Sequence, residues 1–391
     1  VRTVGVEEEY LLVEPDGSVV GVAGAVLAAH GTALSGPALA GPWLADPALA
    51  DADAGPVDPP DRSDEPGGDL EAELKQQMIE TGTRPCTSLG DLREEIAAGR
   101  ARAAHAAARV GAGIAALGTA PPKVVPTLSP GDRYLAINRE FALTAREQLT
   151  CGCHVHVGVE DDEEGVAVLD RIGPWLPVLL ALTANSPFWN GEDSGYASFR
   201  SQVWNRWPTA GPVAPLGSAA AYHQLVEELI ATGTVLDPGM VYFDARLSAR
   251  YPTVEVRIAD VCLQADDATL LAALVRGLVE TAARDAASGT PTPTTRVEHL
   301  RGASWRAARS GLRGQLVSPT TSRPVPAAAA VAELVDHVRE ALRDAGDEEA
   351  VTELLEGPWR RGTGATRQRA WFAESADHGH VVRRAAALTV R

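Results

Sequence analysis

Apolar and polar residues alternate with period two in three separate stretches of the chain, and such alternation predicts β-strands whose two faces meet different surroundings. From Val4 to Val13, the first stretch puts Glu7 and Glu9 on one face. Between Cys153 and Val159, His154 and His156 share one face and Val155 and Val157 the other. In the third, Thr253 to Ile258, Glu255 and Arg257 lie opposite Val254, Val256 and Ile258. Gathered in one sheet, these strands would bring carboxylates, imidazoles and a guanidinium to a single surface. A surface so charged is costly unless it binds charged ligands such as metal ions and phosphates. Glu8 breaks the apolar face of the first strand, and the pattern offers no account of it.

The remaining pattern predicts helices around this sheet. A turn at Pro15-Asp16-Gly17 ends the first strand, and residues 36–69, rich in Pro, Gly, Asp and Ala, read as a flexible surface loop. Glu73, Gln76, Gln77 and Glu80 follow on a helix or strand approach. Ser88, three residues before Asp91, resembles a capping box and opens a long helix towards Gly118. Pro174 starts another helix after a break at Gly173, and Tyr222, Leu225, Val226 and Leu229 recur at helical spacing before Gly233. Met240 to Leu247 reads as a strand with Asp244 and Arg246 on one face, paired with the 253–260 strand in an antiparallel hairpin. Helices are predicted at 267–287 and 328–345. No repeat or long linker divides the chain, so residues 1–391 are expected to form one α+β domain, with helices covering one face of a mainly antiparallel sheet.

Composition narrows the function classes. A formal charge of −17 over 391 residues argues against a general binder of nucleic acid or anionic membranes. Four cysteines in so long a chain make no disulfide framework, and the apolar run from Pro174 to Trp189 is too short to span a bilayer. The chain enters its first strand within four residues, without a secretory leader, so a cytoplasmic location is expected. Lys75 and Lys123 are the only lysines and neither sits in a phosphate-loop motif, so any phosphate must be held by arginines and metal ions. Gly111-Ala112-Gly113-Ile114-Ala115-Ala116 loosely resembles a dinucleotide fingerprint, but a helix rather than a strand is expected before it. A zinc site at Cys151, Cys153, His154 and His156 is opposed by strand parity, which turns the cysteines away from the imidazoles.

Several ordered motifs carry a family resemblance. Gly5-Val6-Glu7-Glu8-Glu9-Tyr10, Cys153-His154-Val155-His156-Val157-Gly158, Thr183 to Trp189, Gly195 to Arg200, Asp244-Ala245-Arg246, Thr253 to Arg257 and Trp305 to Arg309 together resemble the carboxylate–amine ligase family, also called glutamate–cysteine ligase type 2. The resemblance implies a glutamine synthetase/guanido kinase-like catalytic fold, a curved and mainly antiparallel sheet with helices on its convex face. It further implies ATP and Mg2+, or Mn2+ in its place, with small-molecule amino-acid substrates such as L-glutamate and L-cysteine. Glu7, Glu9, Glu80, His156 and Glu255 then correspond to metal ligands, with Glu73 assisting. His154, His156 and Arg257 correspond to nucleotide contacts, and Arg200, Arg246 and Arg257 to catalytic guanidinium groups. No nucleic-acid or membrane partner is implied, and a homo-oligomer is left open. Departures from the pattern include Ala120 in Gly118 to Pro121, where relatives carry His, together with Phe243 and Ser310. Two other classes remain in view: a metal-dependent amide hydrolase using His154 and His156, and a non-catalytic nucleotide sensor.

Overall fold

The alternating stretches become neighbours in one sheet in the computed structural model, which describes residues 1–31 and 67–391. The strands in chain order are β1 (Val4–Val13), β2 (Leu70–Ala72), β3 (Met78–Gly82), β4 (Gly113–Ala115), β5 (Gly152–Gly158), β6 (Phe188–Trp189), β7 (Glu192–Asp193), β8 (Ala245–Leu247), β9 (Thr253–Asp260), β10 (Gln315–Val317) and β11 (Pro324–Pro326). Seven of them form an open sheet in the order β2-β3-β1-β5-β9-β8, with β4 pairing the far half of β1. Every pairing in it is antiparallel. The pairs β6–β7 and β10–β11 are separate two-stranded hairpins.

Thirteen helices accompany the strands among the described residues. They are α1 (Ala23–Gly31), α2 (Leu89–Ala108), α3 (Asp132–Glu147), α4 (Asp162–Ile172), α5 (Leu176–Thr183), α6 (Arg200–Trp204), α7 (Ala219–Ala231), α8 (Ala265–Ala287), α9 (Val297–Ser310), α10 (Ala327–Ala345), α11 (Glu348–Arg361), α12 (Gly364–Ser375) and α13 (His378–Thr389). The apolar parity of the strands is buried against helices: Val4, Val6, Val155, Val157, Val254 and Val256 share a core with residues of α2, α4, α5 and α8. Each such side chain contributes about 1.5–3 kcal/mol on burial. A one-residue slip of β5 would push both imidazoles into that core and expose the valines, so the register is fixed by the face that carries no chemistry.

Glu8 has its explanation here. It lies on the helix face of β1, and Arg100 of α2 forks onto it with distances of 2.9 and 2.6 Å. The Tyr10 hydroxyl donates to the same carboxylate at 2.9 Å. Arg100 also donates to the carbonyl oxygens of Cys262, Leu263 and Thr389, tying the first strand to the end of α13. Both charges are buried, so the pair is a structural clamp rather than part of a ligand-binding face.

The element boundaries depart from the sequence pattern in two places. Ser88 caps α2 as expected, accepting from the Asp91 N–H at 3.0 Å, but the helix ends at Ala108 rather than near Gly118. Gly111 turns the chain at φ +80°, and Gly113–Ala115 then pairs with β1 as β4. The glycines of the fingerprint-like run therefore follow a helix and enter a strand, the reverse of a dinucleotide site. The expected 240–247 strand shrinks to Ala245–Leu247, because Pro238–Met240 forms a 3-10 turn and Gly211 takes up the Asp244 N–H at 2.9 Å. Residues 36–66 of the expected flexible loop lie outside the described residues; Gly67 to Asp69 lead into β2. No single described helix is long and apolar enough to cross a membrane.

Candidate active site

The strand registers assemble the polar face. Glu9 pairs with Glu80 across β1 and β3, and Glu7 with His154 across β1 and β5. His156 pairs with Glu255, which pairs in turn with Arg246 on β8. Partners in directly opposed pairs project to the same side of a sheet, so these registers bring together residues far apart in the chain. Three overlapping groups of donor atoms result, within each of which all atoms lie inside 4.8 Å of one another: Glu7, Glu80 and His154; Glu7, His156 and Glu255; and Glu9, Glu73 and Glu80. Every acidic residue and imidazole expected at the metal or the nucleotide falls in at least one group. Glu73 joins from the turn between β2 and β3. Cys151 and Cys153 do not: both are buried in apolar cores and belong to no donor group among the described residues.

Glu7 stands between the two imidazoles. Its carboxylate lies 3.3 Å from His154 Nδ1 and 3.2 Å from His156 Nε2. His156 Nδ1 is 2.9 Å from Thr253 Oγ1, which leaves Nε2 as the nitrogen directed to the carboxylates. His154 Nε2 and Arg257 Nε are buried without a hydrogen-bond partner, and the contact of His156 Nε2 with Glu7 is not aligned as a hydrogen bond. Orphaned polar atoms of this kind, among converging carboxylates, suit a bound cation and an anionic ligand.

The arginines divide the work. Arg246 forks onto Glu255 at 2.7 and 3.2 Å, and its remaining nitrogen donates to the carbonyls of Gly239 and Val241. All of its nitrogens therefore have protein partners. Arg257 also contacts Glu255 and lies 3.4 Å from His154 Nδ1. The β5–β9 register shifts between Cys153 and Val155, a bulge that sets both Arg257 and Ile258 against His154. Arg200, at the start of α6, is 2% exposed and reaches the carbonyls of Arg257 and Ile258 only at 3.4 Å, with Nε unpartnered. Gly152 makes room for it: a Cβ there would stand 2.4 Å from the Arg200 guanidinium and 3.1 Å from His154 Nε2.

The charges on this face are unevenly satisfied. Burial would raise Glu255, but Arg257 and Arg246 outweigh it and hold its carboxyl well below the ordinary range. Glu9 is pushed up to about 7 by burial and by the charge of Glu73, against the pull of Arg200. Glu80 is raised well above its usual value by burial, then by Glu7 and Glu73. Burial and the Arg257 guanidinium push His154 down to about 4. Burial also opposes ionisation of Glu7, yet the two imidazoles draw it well below the usual range. Glu7 and His154 make opposite claims on one proton. With a permanent cation beside it, the desolvated His154 is the neutral partner at pH 7 and Glu7 the charged one. The β1–β3 end of the face is thus short of positive charge and the β9 end is not.

Other functional positions escaped the sequence pattern. Asp260 accepts from the Asn185 N–H at 2.8 Å and from the hydroxyls of Ser186 and Ser198 at 2.7 Å each. Ser186 Oγ in turn accepts from the Arg200 N–H at 2.9 Å. One buried carboxylate thus pins the 183–189 and 195–200 segments to the end of β9 and aims Arg200. Its signal in the sequence was faint, a single Asp at the end of a strand.

Comparison with known proteins identifies the family. The model of the glutamate-cysteine ligase family 2 (GCS2) matches residues 3–387. A Frankia alni protein with the provisional name glutamate–cysteine ligase 2-2 is 50% identical over 373 residues, 95% of this chain and 93% of the relative. A Streptomyces coelicolor protein with the provisional name glutamate–cysteine ligase 2 is 47% identical over 383 residues, 98% of this chain and 97% of the relative. Among solved structures, the glutamate–cysteine ligase of Francisella tularensis in complex with AMP aligns with a TM-score of 0.65 at 12% identity, covering 100% of this chain and 89% of that one. A bifunctional glutathione synthetase from Pasteurella multocida aligns at 0.63 and 14% identity over 98% of this chain, which spans about half (52%) of that longer protein. The two structures share the fold, and the family match runs almost from end to end: the chain belongs to glutamate–cysteine ligase family 2, a family of ligases.

Proposed function

We propose that the protein is an ATP- and Mg2+-dependent carboxylate–amine ligase that joins L-glutamate to L-cysteine through an acyl phosphate, with ADP and phosphate as the other products. The observation that carries this reading is the set of three donor groups on one sheet face, linked by Glu7 and Glu80, each of which belongs to two of them. A single-metal hydrolase has no need of so many carboxylates, and the two imidazoles fall in different donor groups rather than flanking one. The reading treats 1–391 as one catalytic domain, because the sheet depends on the end of the chain: the Ala116 N–H donates to Thr389 Oγ1 at 2.9 Å.

Glu7, Glu9, Glu73, Glu80, His156 and Glu255 would hold divalent cations, Mg2+ or Mn2+, for hard cations take oxygen ligands with an occasional imidazole. Bound there, ATP would supply the phosphoryl group that turns a carboxylate into an acyl phosphate, ADP leaving, and the cations would neutralise the phosphate charge. The chain's own groups orient and neutralise. Arg257, beside Glu255 and His154, faces the phosphates together with His154 and His156. Arg200 has an unpartnered Nε at the Gly152 end and meets the carboxylate being activated. Arg246 acts as a positioning residue, since its nitrogens hold Glu255 and the 239–241 turn.

The test is ADP release and product mass with ATP, Mg2+, L-glutamate and L-cysteine, with and without EDTA. ATP-dependent, EDTA-sensitive formation of γ-glutamylcysteine is expected. Amide hydrolysis that needs no nucleotide, or tight ATP binding without turnover over a broad panel of carboxylates and amines, would remove the reading.

A further inference from the structure

Past Arg200 the polar face opens into a cavity of about 130 Å³ whose wall includes Arg200, Trp204, Asp244, Ile258, Arg301 and Trp305. Asp244 stands at this wall with its backbone fixed on both sides. Its N–H donates to Gly211 O and its carbonyl accepts from the Arg257 N–H, each at 2.9 Å. Its side chain is half-buried, and its carboxylate has no hydrogen-bond or ion-pair partner among the described residues. The charges that act on it come from Arg200 and Arg301. Desolvation outweighs them and raises its carboxyl to about 7. A partly desolvated carboxylate with no protein partner, on the wall of a cavity that also presents two guanidinium groups, is placed to meet a cationic group of a ligand.

The order of charges across the cavity is informative. Arg200 is deep, 2% exposed, and lies at the edge of the metal-donor groups. Arg301 is exposed on α9, one helical turn from Trp305, whose Nε1–H is held by Tyr196 Oη at 3.2 Å. From the floor to the mouth the cavity therefore presents a cation, an anion and a second cation. The complementary ligand presents a carboxylate, an ammonium and a second carboxylate.

We infer that this cavity receives the carboxylate substrate as a dicarboxylic α-amino acid, its side-chain carboxylate at Arg200, its ammonium on Asp244 and its α-carboxylate at Arg301. The assignment rests on the ligase reading and goes beyond it by naming the residues that select an amino acid over a plain diacid. The distal carboxylate then lies where the donor groups begin, and the α-carbon head fills the space between Asp244 and the mouth. Trp204 and Trp305 form part of the wall.

Two truncated ligands separate the contacts. Glutarate is glutamate without the ammonium, and 4-aminobutyrate is glutamate without the α-carboxylate. Equilibrium binding of L-glutamate, glutarate and 4-aminobutyrate is measured with Mg2+ and a non-hydrolysable ATP analogue on the wild type, Asp244→Asn and Arg301→Ala. Asp244→Asn should weaken L-glutamate and 4-aminobutyrate by on the order of 50-fold and leave glutarate within about threefold. Arg301→Ala should weaken L-glutamate and glutarate and spare 4-aminobutyrate. Equal losses for all three ligands, or no loss in either variant, would overturn the assignment. Failure of the ligase reading looks different: the wild type would then release no ADP with any carboxylate and amine pair, whatever the binding pattern.

Discussion

Divalent-cation binding to this protein should expel protons, and the structure sets how many and over which pH range. Glu9, with its carboxyl raised to about 7, is about nine-tenths protonated at pH 6 and about one-tenth at pH 8. Glu80 is likewise raised well above its usual value by burial, then by Glu7 and Glu73, which favours its protonated form. A cation bound by Glu9, Glu73 and Glu80 must displace the protons these carboxyls hold. The apparent affinity for Mg2+ should therefore rise about tenfold per pH unit for each proton displaced, and Glu9's share should level off above pH 7. His154 adds nothing to this count above about pH 5, because it is already neutral.

Binding is a cleaner probe of this than melting. In the metal-free fold Glu9 has a pKa raised from 4.5 to about 7, so its contribution to stability is full below pH 4.5 and is lost as pH rises towards 7, about 3 kcal/mol in all. His154 has a pKa depressed from 6.5 to about 4, so its contribution is full above pH 6.5 and is lost as pH falls towards 4, again about 3 kcal/mol. The windows overlap with opposite signs and largely offset. Titration calorimetry with Mg2+ in two buffers of different ionisation enthalpy counts the released protons directly. Release of at least about one proton at pH 6, with a smaller count at pH 8 as Glu9's share disappears, is expected. An affinity independent of pH, with no proton released at pH 6, would mean that Glu9 and Glu80 lie outside the metal site and would refute the reasoning.

Three substitutions probe separate links of the argument. Glu255→Gln leaves Arg246 and Arg257 facing a neutral amide and removes a donor from one group; Mg2+-dependent ADP release should fall by at least about 100-fold with the circular dichroism spectrum retained, and wild-type turnover would take Glu255 out of the mechanism. Gly152→Ala places a methyl 2.4 Å from the buried Arg200 guanidinium, which has little room to retreat; activity should drop by at least about tenfold with a small change in Tm, and unchanged kinetics would show that Arg200 need not hold this position. Arg100→Met leaves Glu8 buried and unpaired, a loss of about 3–5 kcal/mol in a denaturant melt, whereas the double change Glu8→Leu with Arg100→Met should recover much of it; an equal loss in single and double variants would contradict the clamp.

What the sequence made legible follows from one property of strands. Period-two alternation is a local rule, so it placed Glu7 with Glu9, His154 with His156 and Glu255 with Arg257 without any knowledge of the partners. Registers are not local. Nothing in the residues around Glu80 says that it faces Glu9, and the pairing comes from β3 lying on β1. Glu8 defeated the pattern for the same reason: its partner is 92 residues away on α2, and parity can place a charge on the wrong face but cannot find the guanidinium that makes it tolerable. Arg246 shows the converse. Its parity is that of a ligand-facing residue, yet two carbonyls and Glu255 take all of its nitrogens, so it holds a carboxylate in place rather than meeting a ligand. Asp244, two residues earlier and on the same face, has no such partners. The alternation groups the two residues; only the packing around them separates a positioning residue from an anion that still has a cation to bind.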